Sequence, residues 1–266
     1  MSEALIRFLS FACVFAVLAV AEAVWPRRAL VVGRVRWIAN IGVSVLNTAL
    51  LRLSFFVVPA LSVIAAFTAE EHGFGLLPLL GLPSVVAAVV GFVLLDLAIY
   101  AQHVAFHHVP WFWRLHRVHH VDPEIDITTA LRFHPVEILL SQVWKIAVVV
   151  ALGVPAAAVV VFEIALNATA MFSHANLRLP LMVDAMLRRV IVTPDMHRVH
   201  HSILLHEVNS NFGFNLSLWD RLFGTYRVRA EGEQTTMPIG LPSYRGAEPA
   251  RLAWLLAFPF ARGPAA

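Results

Sequence analysis

Two distant segments of this 266-residue chain read HRVHH. They are His116-x2-His119-His120 and His197-x2-His200-His201, and the first follows His103-x3-His107. Residues three and four apart share a helix face. Each segment therefore aims two or three imidazoles at one point, and together they supply eight. With 13 histidines in the chain, composition alone yields HxxHH roughly 0.03 times. A chance cluster of surface or core histidines is thus the weaker reading. Burying so many neutral rings without partners costs about 1–3 kcal/mol for each unsatisfied group. A cation removes that cost, because imidazole is a common ligand of iron, zinc and copper. One metal takes about four protein ligands, fewer where a position stays open for chemistry. Eight or nine histidines point to two metals.

The rest of the chain sets these motifs in a membrane. It is 59% hydrophobic and 14% charged, where a soluble domain carries about 25% charged residues. Cys13, the only cysteine, lies in the first apolar run and permits neither an intrachain disulfide nor a thiolate cluster. The net charge of +3 comes with arginines near the ends of apolar segments. No contiguous basic face suggests a nucleic-acid partner, and the pattern reads as membrane topology.

Residues 5–24 are long enough to span, since about 20 residues cross the hydrocarbon. A retained helix is favoured over a cleaved signal peptide, because the apolar core is long and no small-residue cleavage site is clear. Arg27, Arg28, Arg34 and Arg36 follow and assign this loop to the cytoplasm. Residues 38–67 form a second apolar stretch, expected to tilt or bend near Pro59, with Arg52 turned toward other helices or water. The loop Thr68–Gly75, with Glu70, Glu71 and an ordinary His72, suits the outer side. A third span, from Leu76 or Pro83 to Tyr100, continues unbroken into His103 and His107. Asp96 is read as a partner supporting a ligand or as a polar residue at the membrane edge. Residues 136–172 are interrupted at Gly153-Val154 and fold as a hairpin, which brings Lys145 and Glu163 to equal depth as an expected ion pair.

Around the histidines, Pro110, Trp111, Phe112 and Trp113 read as an interfacial belt, with Arg114 and Arg117 at the headgroups. Asp122-Pro123 marks a turn, and His134 lines a substrate entrance or caps the next helix. His174, at a cytoplasmic helix end between the two HRVHH segments, is a ninth candidate ligand. Asn176 is expected to hold a water or orient a ligand. Residues 181–192 read as an amphipathic interfacial helix. Thr193 and Pro194 start the last ligand helix as N-cap and first-turn residue. His206 lies off the ligand face. Residues 209–213 and 218–226 are expected to cap the metal centre, 231–248 to form a loop or tail, and 251–260 to lie on the membrane or dock on the cap.

These residues resemble the fatty acid hydroxylase / sterol desaturase superfamily of membrane oxidoreductases. The likeness spans about 85–226 and includes RFHP at 132–135, TPDMHRVHHS at 193–202 and WDRLFGTY at 219–226. It implies a non-haem diiron centre that activates O2 to attack a lipid C–H bond, by hydroxylation or desaturation, with zinc able to replace iron in a purified sample. The implied ligands are His103, His107, His116, His119, His120, His197, His200 and His201. His174 is similar to an extra histidine that many members place between the HxxHH motifs. No cytochrome b5-like domain is visible, so a separate donor, a ferredoxin or a cytochrome b5-like protein, is expected. The extra HxxxH of the fatty acid 2-hydroxylase branch is missing, which leans toward the sterol desaturase-like bacterial branch and an inner-membrane location with the metal site cytoplasmic.

The expected fold is an all-α membrane protein of about four transmembrane helices, one hairpin among them, with a cytoplasmic helical cap holding the dimetal site. Residues 1–80 would be N-terminal membrane helices, 81–230 the catalytic domain and 231–266 a C-terminal tail. The substrate, a sterol-like or fatty acyl lipid, would enter laterally between the third span and the hairpin. A zinc-dependent membrane hydrolase is disfavoured, because no Glu lies inside a His motif as in HExxH. A transporter or other non-catalytic metal binder is disfavoured because the ligands lie at one rim instead of mid-membrane.

Overall fold

A computed structural model describes residues 2–54 and 62–261. Ser2 caps α1 (Glu3–Val24), its hydroxyl accepting from the Leu5 amide. α2 (Trp37–Ser54), α3 (Ser62–Glu71) and the short α4 (Leu76–Leu79) follow. α5 (Ser84–His108) runs 25 residues without a break, about 37 Å at 1.5 Å per residue. Val109, extended before Pro110, separates it from α6 (Pro110–His120). His134 and Pro135 start α7 (Pro135–Leu152), which turns at Gly153 into α8 (Ala156–His174). The cap adds α9 (Leu181–Leu187), α10 (Pro194–His200), α11 (Leu205–Val208), α12 (Leu218–Leu222) and α13 (Leu252–Ala257). No β-strand forms among the described residues.

Among the described residues, four helices are long and apolar enough to cross a membrane: α1, α5, α7 and α8. α5, α7 and α8 pack around Leu95, Ile99, Val149 and Phe162, with α3 laid across the hairpin and α1 against α8. Ala87, Ala156 and Ala158 are buried in this core. Such small side chains let helices approach closely where lipid supplies no hydrophobic drive. The hairpin turn requires the left-handed conformation of Gly153, φ 65°. Gly75, φ 118°, meets it backbone to backbone, and a Cβ on either residue would strike the other segment. The 73–80 loop and the hairpin turn therefore share one end of the bundle, and the histidines lie at the other.

Lys145 and Glu163 pair within the hairpin, and Arg7 of α1 reaches the same carboxylate at 2.6 Å. Residues 38–67 do not supply one of the four spans. They contain α2 and α3, and Pro59 lies outside the described residues. α2 buries a polar face instead: Asn47 donates to the Phe133 carbonyl at 2.9 Å, and Asn40 donates to Asp122 and Thr128. Arg52 is exposed. α3 carries the chain as helix to Glu71, and Glu70 accepts from the first amide of α8.

Several arginines read as topology markers are structural ties. Arg36 is fully buried among Asp122, Glu124 and Asp126. Arg27 pairs with Asp195 at 2.9 Å, and Arg28 donates to the Met237 carbonyl. The 25–36 loop is thereby fastened to the histidine end. Arg117 is buried, donates to the Phe258 carbonyl and lies 4.2 Å from the Phe258 ring, so it anchors the C-terminal segment and not a headgroup. Asn176 neither holds a ligand ring nor faces one. Its side chain brackets the backbone of Arg28. Thr193 occupies the N-cap of α10, yet its buried hydroxyl makes no capping bond. Exposed Leu181, Met182, Met186 and Val190 give the 181–192 stretch its apolar face. Met237, Ile239, Leu255 and Phe258 are buried, so the 231–261 stretch is docked and not free.

Candidate metal centre

Helical periodicity and the chain turn after α6 bring nine histidines to one place. Their ligating nitrogens form two groups: His103, His107, His116, His120 and His200 in one, and His119, His174, His197 and His201 in the other. Within each group these atoms lie within 4.8 Å of one another. All nine residues singled out from the sequence are in these groups, and all are buried except half-buried His107.

Each HRVHH serves both groups, and does not aim at one point. Successive helical residues differ by about 100°. His116 and His120, four apart, face the first group while His119 faces the second. His197 and His201 face the second while His200 faces the first.

The rings suit cations. Nε2 of His103 lies 3.1 Å from that of His116, and Nε2 of His174 lies 3.0 Å from His119 and 3.1 Å from His197. Two nitrogens bonded at about 2.0–2.1 Å to one cation stand roughly 3.0–3.4 Å apart. Both ring nitrogens of His107 and of His201, and Nε2 of His120 and His200, are buried with no partner among the described residues. Unsatisfied polar atoms of this kind are costly, and coordination satisfies them. Burial, then the neighbouring imidazoles, holds His119, His120, His197, His200 and His201 well below 6.5. His116 is pushed down to about 3 by burial. These rings are neutral, the form that binds metal.

Hydrogen bonds behind the rings aim them. Nδ1–H of His103 donates to the Phe212 carbonyl, that of His200 to Ser210 and that of His174 to Ala170, each at 2.7 Å. Nδ1–H of His116 donates to the Glu137 carboxylate at 2.6 Å. Such bonds fix the tautomer and turn Nε2 inward. Phe133 stacks on His119 with centroids 4.5 Å apart and planes 8° from parallel. Glu137 had no mark in the sequence beyond its place two residues after Pro135, one turn into a helix that starts beside the ligands.

The remaining candidates resolve plainly. His134 caps α7, its Nδ1 accepting from the Val136 amide at 3.2 Å. Asp96 touches no ligand and is fully buried. It accepts from the amides of Asn215 and Leu216 and from the Trp219 indole, which secures the loop carrying Phe212. His206 is exposed and pairs with Glu231, and the His72 ring bonds to the Thr68 carbonyl. On the α7 side of the expected entrance between α5 and the hairpin, Gln102 bonds to Ser141 and the Trp144 indole donates to the Ala98 carbonyl.

The fatty acid hydroxylase family matches residues 88–225, just over half of the chain. An ornithine lipid hydroxylase of Rhizobium tropici is 28% identical over 59% of this chain and 46% of its own length. Alkylglycerol monooxygenases of Xenopus tropicalis and Homo sapiens are 32% and 29% identical, over 49% and 51% of this chain and 28% and 29% of theirs. The chain thus spans less than half the length of these curated relatives. No solved structure matches. By the family's match and the histidine pattern inside it, this chain belongs to the fatty acid hydroxylase family.

Proposed function

We propose that this chain is a membrane-bound, O2-dependent hydroxylase of a lipid C–H bond, with two iron ions held by its nine histidines. The observation that carries this reading is the pair of buried, convergent imidazole groups with unsatisfied nitrogens at one end of four membrane-length helices. His103, His107, His116, His120 and His200 would hold one ion, and His119, His174, His197 and His201 the other. When bound, the irons supply the redox chemistry that activates O2. The chain's own residues do the rest. Neutral rings accept the metals without a proton to displace, Glu137 and the carbonyls of Ser210 and Phe212 hold ring orientation, and burial keeps bulk water away. The names of the relatives support hydroxylation over desaturation and an amphiphilic membrane lipid as substrate. Two electrons from a separate ferredoxin or cytochrome b5-like donor, with two protons, reduce the second oxygen atom of O2 to water. Exposed Arg34, in the loop fastened to the histidine end, favours a cytoplasmic metal site, in a bacterial inner membrane.

The test is metal analysis of the purified chain, followed by an O2- and reductant-dependent assay on lipids extracted from the host. The expected result is about two irons per chain and a lipid product heavier by one oxygen atom. Two irons with no lipid oxidised would sink the activity and leave the metal centre.

A further inference from the structure

A cleft of about 550 Å3 opens in the cap, its lining including His206, Asn209, Ser210, Thr225, Arg227 and Arg229. Ser210 on its wall backs the five-histidine group. The Ser210 carbonyl takes the Nδ1–H of His200, and two residues on, the Phe212 carbonyl takes that of His103. An occupant of the cleft meets Ser210, which stands behind the Nδ1 side of His200, with that imidazole between Ser210 and the inward Nε2 atom. That position is wrong for a C–H bond awaiting oxidation, which must reach the Nε2 side. It suits electrons that enter through a ligand ring.

The charge of the cleft points to the class of partner. Arg227 and Arg229 line it, and the Arg221 guanidinium lies 3.8 Å from the ring of Tyr226 on its wall. Neither Arg227 nor Arg229 has a carboxylate partner among the described residues, and Glu231 lies 2.9 Å from the His206 ring. The nearby acids are occupied: Asp220 accepts from the amides of Phe212 and Gly213, and Glu207 from that of Glu231. The apolar strip of Leu218, Leu222 and Phe223 beside the cleft is exposed and suits lipid, whereas the cleft itself is polar and basic.

We infer that this cleft docks a small acidic one-electron redox protein, and that its electrons reach the five-histidine group through Ser210 and His200. The inference rests on the hydroxylase reading above. Each encounter oxidises the donor by one electron and reduces the centre by one. Two encounters and two protons balance the insertion of one oxygen atom into C–H and the release of the other as water.

The test uses the full iron-loaded chain in lipid nanodiscs, with a dithionite-reduced acidic plant-type ferredoxin as probe, followed anaerobically by stopped flow at low and high salt. The variant Arg227→Glu/Arg229→Glu is compared with wild type, with Arg227→Gln/Arg229→Gln as a milder form and Arg34→Glu as a control at a distant basic residue. At low salt the charge reversal should slow donor oxidation by about 10-fold or more, the glutamine form by less, and the wild-type salt dependence should flatten. Iron content and reduction by methyl viologen radical should not change. An unchanged ferredoxin rate, an equal loss in Arg34→Glu, or a loss confined to nanodiscs of anionic lipid would overturn the docking site, the last by making the cleft a headgroup site. If methyl viologen cannot reduce wild-type protein, the dimetal reading fails first and takes this inference with it.

Discussion

The chain buries polar groups beside lipid in two places, and they differ in what is left over. In the hairpin, Glu163 meets Lys145 and Arg7, and Arg7 also reaches Glu3. The charges close on one another, so the cluster fastens α1 to the hairpin. At the other end of α8, nine rings converge and leave nitrogens of His107, His120, His200 and His201 unsatisfied. A polar cluster that satisfies itself is a fastening, whereas one with inward lone pairs to spare awaits a cation.

The contrast is sharpest if one ligand is removed from one group. His201→Ala should cut iron from about two to about one per chain and abolish lipid oxidation while the helices persist. Two irons retained would break the division into groups. Next in size is metal removal. Bound iron at about 1,000 times its Kd should stabilise the chain by about 4 kcal/mol, seen as a lower melting temperature after chelation. Chelation should do nothing to the interaction energy of the Lys145–Glu163 pair. Glu137→Gln should weaken iron binding or turnover by about 10–100-fold, and wild-type behaviour would show that His116 needs no carboxylate behind it. The smallest effect belongs to the hairpin. A double-mutant cycle of Lys145→Met and Glu163→Gln should give a coupling of about 1 kcal/mol, reduced because Arg7 shares the carboxylate. Additive losses would remove the pair.

Much of this was legible in the sequence where the physics is local. The 3.6-residue period placed the histidines on faces, apolar length marked α1, α5, α7 and α8, and the Gly153 break foretold a hairpin that joins Lys145 to Glu163. The sequence misled where a residue's partner is far along the chain. Arg36 and Arg117 looked like topology and headgroup residues, but their partners are Asp122, Glu124 and Asp126 in one case and Phe258 in the other. In residues 38–67 the apolar composition hides the role of Asn40 and Asn47, which reach Asp122 and the Phe133 carbonyl.

What the sequence determined by itself is which nine histidines converge, because imidazole type and helical spacing need no partner to be read. What only the tertiary structure decided is how the nine rings divide five to four and what stands behind them. Phe212 reaches His103 across 109 residues, Glu137 and Ser210 reach their histidines from beyond a turn of the chain, and such partners leave no periodic trace along it.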